Sequence, residues 1–313
     1  MSSSSQASNE PFTPGMMLKS DSGRTYKIEN ILADRKTPCY VYIVQELAGS
    51  AEGKNYIVKN MIPGEFEYQL DLQKQLSSCP NVRSVVDTIK ASELFIFPFL
   101  AGDLLRLSQK PLSTKTRKIF SIMGNIKPNN ILVDYDESAE GHVSIKNVQI
   151  SDLEDTVIVP PGKWLRGPLC GNAIWRSPES WCRSRQNQAS DVFSFGIVMV
   201  YVMVNEMVFR VSDNQLQAED SWRYVLRRHI YYFADEDSFN GFLQHIGKEN
   251  IFYERLVALA SSFTPGNLRQ PFQTWDYVDP NLRDLVGKMT NLDPTRRITA
   301  RGALQHRWFS QAS

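Results

Sequence analysis

Asn125-Ile126-Lys127-Pro128-Asn129-Asn130-Ile131-Leu132-Val133-Asp134 is the stretch on which the reading of this chain turns. A polar run of lysine, proline and asparagine feeds into three apolar residues, and Ile131-Leu132-Val133 reads as a short strand. Val143-Ser144-Ile145 reads as a second strand, joined to the first by the polar turn Asp134 to His142. Next comes Val148-Gln149-Ile150-Ser151-Asp152-Leu153-Glu154, which sets a carboxylate 22 residues past Asn130. Further on, Gly171-Asn172-Ala173-Ile174-Trp175-Arg176-Ser177-Pro178-Glu179 precedes Asp191-Val192-Phe193-Ser194-Phe195-Gly196-Ile197-Val198. The apolar run Val192 to Val204 is 13 residues long. A bilayer span needs about 20, so the run predicts a buried core helix.

This succession resembles the second half of a eukaryotic protein kinase domain of the serine/threonine type. The opening stretch is similar to the catalytic loop H-R-D-L-x-x-x-N. In that loop the aspartate accepts the proton of the substrate hydroxyl, and the asparagine holds a second magnesium ion. Asn130 matches the asparagine, but Met123-Gly124-Asn125 stands in place of His-Arg-Asp, so Asn125 occupies the catalytic aspartate position. An amide can orient a hydroxyl but cannot deprotonate it, and general base catalysis is typically worth ~10²- to 10⁴-fold. The resemblance therefore implies impaired phosphoryl transfer. Gly124 also replaces the arginine that would pair a phosphate on the activation segment.

Other positions follow from the same resemblance. Lys127 matches the lysine of D-x-K-P-x-N, which neutralises the transferred phosphoryl group and marks the serine/threonine branch. Asp152 matches the magnesium-binding aspartate of Asp-Phe-Gly, with Leu153 for the packing phenylalanine and Glu154 for the permissive glycine. Leu132 would floor an adenine site. Ser177-Pro178-Glu179 is a close variant of Ala-Pro-Glu, and Asp191, opening the buried helix, would bind backbone N–H groups and anchor the catalytic loop. Arg297, in Leu292-Asp293-Pro294-Thr295-Arg296-Arg297-Ile298-Thr299, supplies the partner of Glu179 in a buried structural ion pair.

Before the loop the match is weaker. Tyr26, Ile28, Val41, Ile43 and Ile57 are candidate inward positions of an antiparallel sheet, separated by the turn-rich stretches Asp34 to Pro38 and Ala48 to Lys54. Leu32 to Val41, where a kinase carries G-x-G-x-x-G over the phosphates, contains no glycine and reads as an ordinary hairpin. Lys59, ending Tyr56-Ile57-Val58-Lys59, is either a solvated surface lysine or the lysine that contacts the α- and β-phosphates. Phe66, Leu70, Leu72 and Leu76 give a helical face, and its alignment puts Gln69 at the position of the αC glutamate, where no ion pair can form. Glu67 lies on another side of that helix. Glu93 to Asp103 reads as a buried aromatic strand with a glycine turn, or as the strand and hinge joining kinase lobes. In the second reading Phe97 is the gatekeeper, the backbone of Pro98, Phe99 and Leu100 faces the adenine edge, and Asp103 takes a ribose contact.

Only 25 residues separate Leu100 from Asn125, with one helical candidate, Ser113 to Met123. The helix αE that the family places there is shortened or missing, either as a truncated element or as a segment lost together with His-Arg-Asp. A helix of that kind buries several apolar side chains at ~1.5 to 3 kcal/mol each, against a total stability of ~5 to 15 kcal/mol. Its loss therefore bears on folding itself.

The whole sequence bounds what remains. It has 313 residues, 42% of them hydrophobic, which is ample for a sizeable core. Its 35 basic and 34 acidic residues give a net charge of +1, and with it no electrostatic footprint for nucleic acid or an anionic membrane. Cys39, Cys79, Cys170 and Cys182 have no metal-knuckle or redox spacing, which fits a reduced intracellular protein, cytoplasmic or nuclear. The expected fold is α+β and two-lobed: a disordered tail over 1–19, a mostly β lobe over 20–100 and a mostly α lobe over 101–313. ATP and magnesium are the implied cofactors, weakened by the absent glycine-rich loop. A protein substrate or a regulatory partner is implied with them, and the oligomeric state is not legible. Residues 211 to 275 read as a helical insertion or as a partner surface. Three functions stay open: a pseudokinase-like binding or regulatory module, an active serine/threonine kinase acting on protein hydroxyls, and a truncated product without stable function.

Overall fold

The computed structural model describes residues 10–35, 39–47, 53–113, 116–117, 127–160 and 162–310. The chain divides into two compact units, Met1–Ala101 and Gly102–Ser313.

The first unit contains β1 (Met17–Lys19), β2 (Thr25–Arg35), β3 (Cys39–Glu46), β4 (Asn55–Asn60), helix α1 (Phe66–Leu76), β5 (Asp87–Ile89) and β6 (Leu94–Pro98). The strands form one antiparallel sheet in the order β1-β2-β3-β4-β6-β5. Register shifts at Ile28/Asn30 and Ile31/Ala33 bend β2. The turn after β1 reaches the far edge of the sheet: the Asp21 N–H donates to the Thr88 carbonyl at 2.8 Å, and the Asp21 carboxylate accepts from Thr88 Oγ1 at 2.6 Å and Lys90 N at 3.0 Å. The sheet therefore curls round on itself and encloses Tyr26, Ile28, Tyr42, Val44, Val58 and Ile96. Within that enclosure the Tyr26 hydroxyl donates to Asp87 at 3.1 Å, and burial together with the Asp87 charge pushes the phenol up to about 12. Burial opposes ionisation of Asp87, but hydrogen bonds from Ser22, Ser20, Thr88 and Tyr26 outweigh it and hold the carboxyl below its usual range.

The outer face carries Ile57, Phe95 and Phe97 under α1, with the Phe66 and Phe95 rings 5.0 Å apart. Val41 and Ile43, expected inward, are half-buried on this α1 side, while Tyr40, Tyr42 and Val44 fill the enclosed side. Both phases of β3 are apolar enough to be buried, so alternation alone does not choose between them. The tail expected over 1–19 also ends early, because Met17–Lys19 is a strand with Leu18 buried and Phe12 packs on Tyr42.

The second unit opens with β7 (Gly102–Asp103), α2 (Leu104–Leu107), β8 (Ile131–Glu137) and β9 (Val143–Ile150). Its middle holds β10 (Leu165–Arg166), α3 (Pro178–Trp181), β11 (Arg185–Gln186) and α4 (Gln188–Val204). The rest is helical: α5 (Asp213–Gln217), α6 (Ser221–Phe233), α7 (Glu236–Ile246), α8 (Phe252–Ser261), α9 (Pro280–Met289), α10 (Ala300–Leu304) and α11 (Arg307–Ser310). The apolar run forms α4, whose Phe193, Ile197, Val198, Met199 and Val200 are buried in the core. Its cap is Asn187, which is extended and accepts from the Ala189 N–H at 2.9 Å, so Asp191 lies in the first turn of the helix rather than at its cap. Residues 211 to 275 contribute α5 to α8, packed on the same core through Val225, Leu226, Phe242 and Leu256. β8 and β9 run further than the short strands expected, pairing from Ile131↔Ile150 out to Glu137↔Val143. The turn shrinks accordingly, because Asp134, Tyr135, Asp136 and Glu137 carry strand positions inside a stretch that reads as polar.

Within the helical candidate Ser113 to Met123 only Thr116 and Arg117 are described as helix. The Arg117 guanidinium donates to the carbonyls of Val202 at 2.5 Å, Ser108 at 3.3 Å and Lys110 at 3.3 Å. It thereby ties this segment to the negative end of α4. Most of the span in which αE was expected lies outside the described residues. Among the described residues no helix is long and apolar enough to cross a membrane. Cys79, Cys170 and Cys182 are free thiols.

Candidate functional site

Proline forces the residue before it into extended backbone, and Lys127, at φ −146° and ψ 143°, enters the 3-10 turn Pro128–Asn130 that way. Pro128 is buried, and the Asn130 N–H returns to the Lys127 carbonyl at 3.0 Å, so the loop is fixed at its exit. The β8–β9 ladder then lays the far end of β9 beside it, and the Ser151 N–H donates to the Asn130 carbonyl at 2.8 Å. The next residue, Asp152, has φ 65° and ψ 55°, a left-handed conformation costing ~1 to 2 kcal/mol for an L-residue. Such strain is retained where surrounding structure enforces it, and it clusters at functional sites. Here it turns the carboxylate back so that Asp152 Oδ2 lies 3.4 Å from Lys127 Nζ, with both side chains about a quarter exposed, 23% and 26%.

Lys127, Asn130 and Asp152 are thus brought together by one hairpin. Leu153 is buried and opens the 3-10 turn Leu153–Asp155, where Glu154 is half-buried. Leu132 is half-buried on the face of β8 opposite Ile131 and Val133, which enter the core. Carboxylate and carboxamide oxygens are hard ligands that suit magnesium, which is usually held by one or two carboxylates plus phosphate and water. Asp152 and Asn130 fit that pattern, and among the described residues no cluster of three His, Cys, Asp or Glu offers an all-protein cage. Asn125, with Met123 and Gly124, lies outside the described residues.

The candidates of the first unit are on its α1 side. Lys59 is half-buried on β4, opposite Val41 and Phe95 and in phase with Ile57. Gln69 is 2% exposed on the buried side of α1. Glu67 points the other way and pairs with Lys90 at 2.5 Å in solvent. Phe97 is buried, whereas Phe99 is exposed and Leu100 half-buried. Sequence reasoning passed over a residue beside them. Arg83, 7% exposed, stands with its guanidinium 5.0 Å from the Phe97 ring centroid, and both Nε, at 3.0 Å, and Nη2 donate to the Pro98 carbonyl. A buried arginine in the apolar stretch Val82 to Val86 is the one signal that could have drawn notice. Asp103, in the second unit, is engaged as the cap of α2, accepting from the Arg106 N–H at 3.0 Å.

Glu179 and Arg297 meet with no side-chain exposure on either, Nη1 to Oε1 at 2.7 Å and Nη2 to Oε2 at 3.2 Å. The remaining three guanidinium donors go to the carbonyls of Asn291, Ala189 and Leu292, so all five are satisfied. Burial opposes the Glu179 charge, yet Arg297 and the Ser190 hydroxyl outweigh it and hold the carboxyl below its usual range. Asp191 sits in a crowded recess where surrounding protein and then the Glu179 charge push its carboxyl up to about 6, although its side chain keeps access to solvent that moderates the effect. Before α3, the strand β10 pairs with β11, and Arg185 and His245 exchange hydrogen bonds, the guanidinium to the His245 carbonyl at 2.8 Å and the ring to the Arg185 carbonyl at 2.9 Å.

A family model for the protein kinase domain matches residues 122–309, more than half of the chain. Among curated proteins, the chain is 21% identical over 96% of its length to a probable serine/threonine-protein kinase, fhkD, of Dictyostelium discoideum, and covers 38% of that protein. It is 21% identical over 78% of its length to the phosphorylase b kinase gamma catalytic chain, liver/testis isoform, of Rattus norvegicus, covering 53% of it. It is 22% identical over 74% of its length to the CaM kinase-like vesicle-associated protein of Danio rerio, covering 48% of it. The chain thus spans about half or less of the length of these relatives. With the β-rich first unit, the helical second unit and the family match in agreement, the chain belongs to the protein kinase domain family.

Proposed function

We propose that this chain is a kinase-like module that binds a magnesium nucleotide and transfers phosphate poorly, acting by binding or regulation of a protein partner. The observation that carries this reading is the strained Asp152, held against Lys127 beside Asn130. A carboxylate, an amide and a lysine ammonium at one hairpin end suit a magnesium-bound phosphate. Asp152 and Asn130 would hold a magnesium ion, which when bound would supply positive charge to the phosphates. The chain's own residues at this hairpin do the rest: Asp152 and Asn130 offer oxygen, and Lys127 offers a positive charge. Proton abstraction is the missing part, because the amide of Asn125 has no basic lone pair to offer.

The test is a thermal melt with and without millimolar magnesium and nucleoside triphosphate, on the natural chain and on Asp152→Ala. Ligand at 100 times its dissociation constant adds ~2.7 kcal/mol, so the natural chain is expected to melt several degrees higher and the variant to stay put. Phosphotransfer to protein hydroxyls is expected near background and to rise ~10²- to 10⁴-fold in Asn125→Asp. Equal rates in the two proteins would favour the active-kinase reading. A cooperative melt indifferent to nucleotide would remove the binding reading.

A further inference from the structure

Of the tryptophans that stand half-buried at the surface, Trp164, Trp222 and Trp275, the first two carry an arginine of the chain itself. The Arg185 guanidinium lies 5.7 Å from the Trp164 ring centroid, and that of Arg255 lies 4.7 Å from Trp222. The same contact recurs on half-buried Tyr224 and Phe263, with Arg223 at 4.8 Å and Arg227 at 4.3 Å. Among the described residues no lysine or arginine lies over Trp275 or Tyr277. Those two rings stack on each other at 5.5 Å and 20°, and Tyr232 stands perpendicular to Trp275 at 5.7 Å and 86°. Tyr277 is 66% exposed, which leaves its outer face open. Burial first, then the charges of Glu206 and, more weakly, Asp276 push the Tyr277 phenol up, and Glu206 adds to the burial that raises Tyr232. Both carboxylates therefore lie near the rings, exposed and, among the described residues, in no ion pair. Arg228, close by, is engaged by the Tyr232 hydroxyl and, at 3.2 Å, by the Val208 carbonyl.

We propose that Tyr232, Trp275 and Tyr277, flanked by Glu206 and Asp276, form a docking surface for a partner protein that presents an exposed arginine. A ring face attracts a cation through its quadrupole, and two carboxylates beside it add negative charge and acceptors. Arginine suits the surface better than lysine. Its planar, weakly hydrated guanidinium can lie flat on a ring while its edge donates to a carboxylate. The partner would supply from outside the contact that the helical unit makes from within at Trp164, Trp222, Tyr224 and Phe263. This surface lies wholly in that unit and makes no use of the hairpin at Asp152.

The experiment titrates the chain, without nucleotide, with the end-blocked peptide Gly-Pro-Arg-Pro-Gly and with its lysine and citrulline counterparts, read by the shift of the Trp275 indole N–H signal. The arginine peptide is expected to bind ~10-fold more tightly than the citrulline peptide and about threefold more tightly than the lysine peptide. Its affinity is expected to fall as salt is added. Tyr277→Ser, at an exposed position, and Glu206→Gln, which removes only a charge, are each expected to weaken the arginine peptide about 3- to 5-fold and to leave the citrulline peptide unmoved. No saturable shift, a citrulline or lysine peptide that matches the arginine one, or an arginine affinity untouched by both substitutions overturns the proposal. Tetramethylammonium that binds as tightly as the arginine peptide overturns it as well, because it would make the ligand a quaternary ammonium group. With no nucleotide present, any of these failures leaves the nucleotide reading to its own test.

Discussion

His229 shows how a single ring can set a pH response. It is buried against Phe209, stacked with ring centroids 3.8 Å apart, and Phe193, 5.4 Å away. Both ring nitrogens face carbonyls, Nδ1 that of Val225 at 2.9 Å and Nε2 that of Arg176 at 3.0 Å. A neutral imidazole can donate to only one of them, yet burial outweighs the two carbonyls and lowers the ring to about 4. The folded chain therefore holds His229 neutral where an unfolded chain, titrating near 6.5, would protonate it. The stability it contributes is complete above pH ~6.5 and is lost as pH falls toward 4, on the order of 3 kcal/mol in all. Asp191, raised to about 6, tilts stability the opposite way over part of that interval. Glu179, held low, keeps its contribution above the ordinary carboxylate value and loses it as pH falls from there through its own depressed one. The expected result is a difference: urea midpoints measured from pH 7 to 4.5 fall more steeply for the natural chain than for His229→Phe.

At the scale of elements, α4 and α9 are the pair on which the helical unit is built, and Gly196 sets how near they come. A Cβ at Gly196 would lie 2.8 Å from Thr290 Cγ2 and 3.1 Å from Met289 Cβ. Neither atom is the far end of a flexible chain, so the helices would have to part. Alanine would gain up to ~1 kcal/mol of helix propensity, but overpacking costs typically ~1 to 3 kcal/mol. Gly196→Ala is therefore expected to lower the melting temperature. The helix itself was legible, because a 13-residue apolar run has few other uses. Its start was not: Asn187 and Asp191 are both good caps by residue type, and the choice depends on where the incoming chain is extended. The same limit misplaced Val41 and Ile43, since β3 is buried on both faces and tyrosine hides which phase is the enclosed one.

Over the whole molecule, a short middle segment is reconciled with a large helical core through Arg117, which gathers three carbonyls including that of Val202 near the end of α4. Arg117→Ala is expected to lower the urea midpoint by an amount equivalent to ~1.5 to 3 kcal/mol, the worth of a hydrogen bond to a charged group, with the slope unchanged. Arg117→Lys should recover only part, because a single ammonium nitrogen lacks the planar fork whose Nη1 and Nη2 reach these carbonyls. The grouping of Lys127, Asn130 and Asp152 was implied by the family resemblance, and the β8–β9 ladder brings Asn130 and Asp152 to one end of a hairpin. Arg83 was not readable, since its partner is a backbone carbonyl and every residue carries one.

The closing of the sheet by Asp21 on Thr88 and Lys90 bears on association as well as on folding. An open sheet margin is a template on which another chain can add a strand. Here the Thr88 carbonyl on β5 and the Lys90 N–H just past its end are engaged by the chain's own first turn. Another protein that recognises this face must do so through side chains, and the unit is guarded against self-templated stacking at that margin.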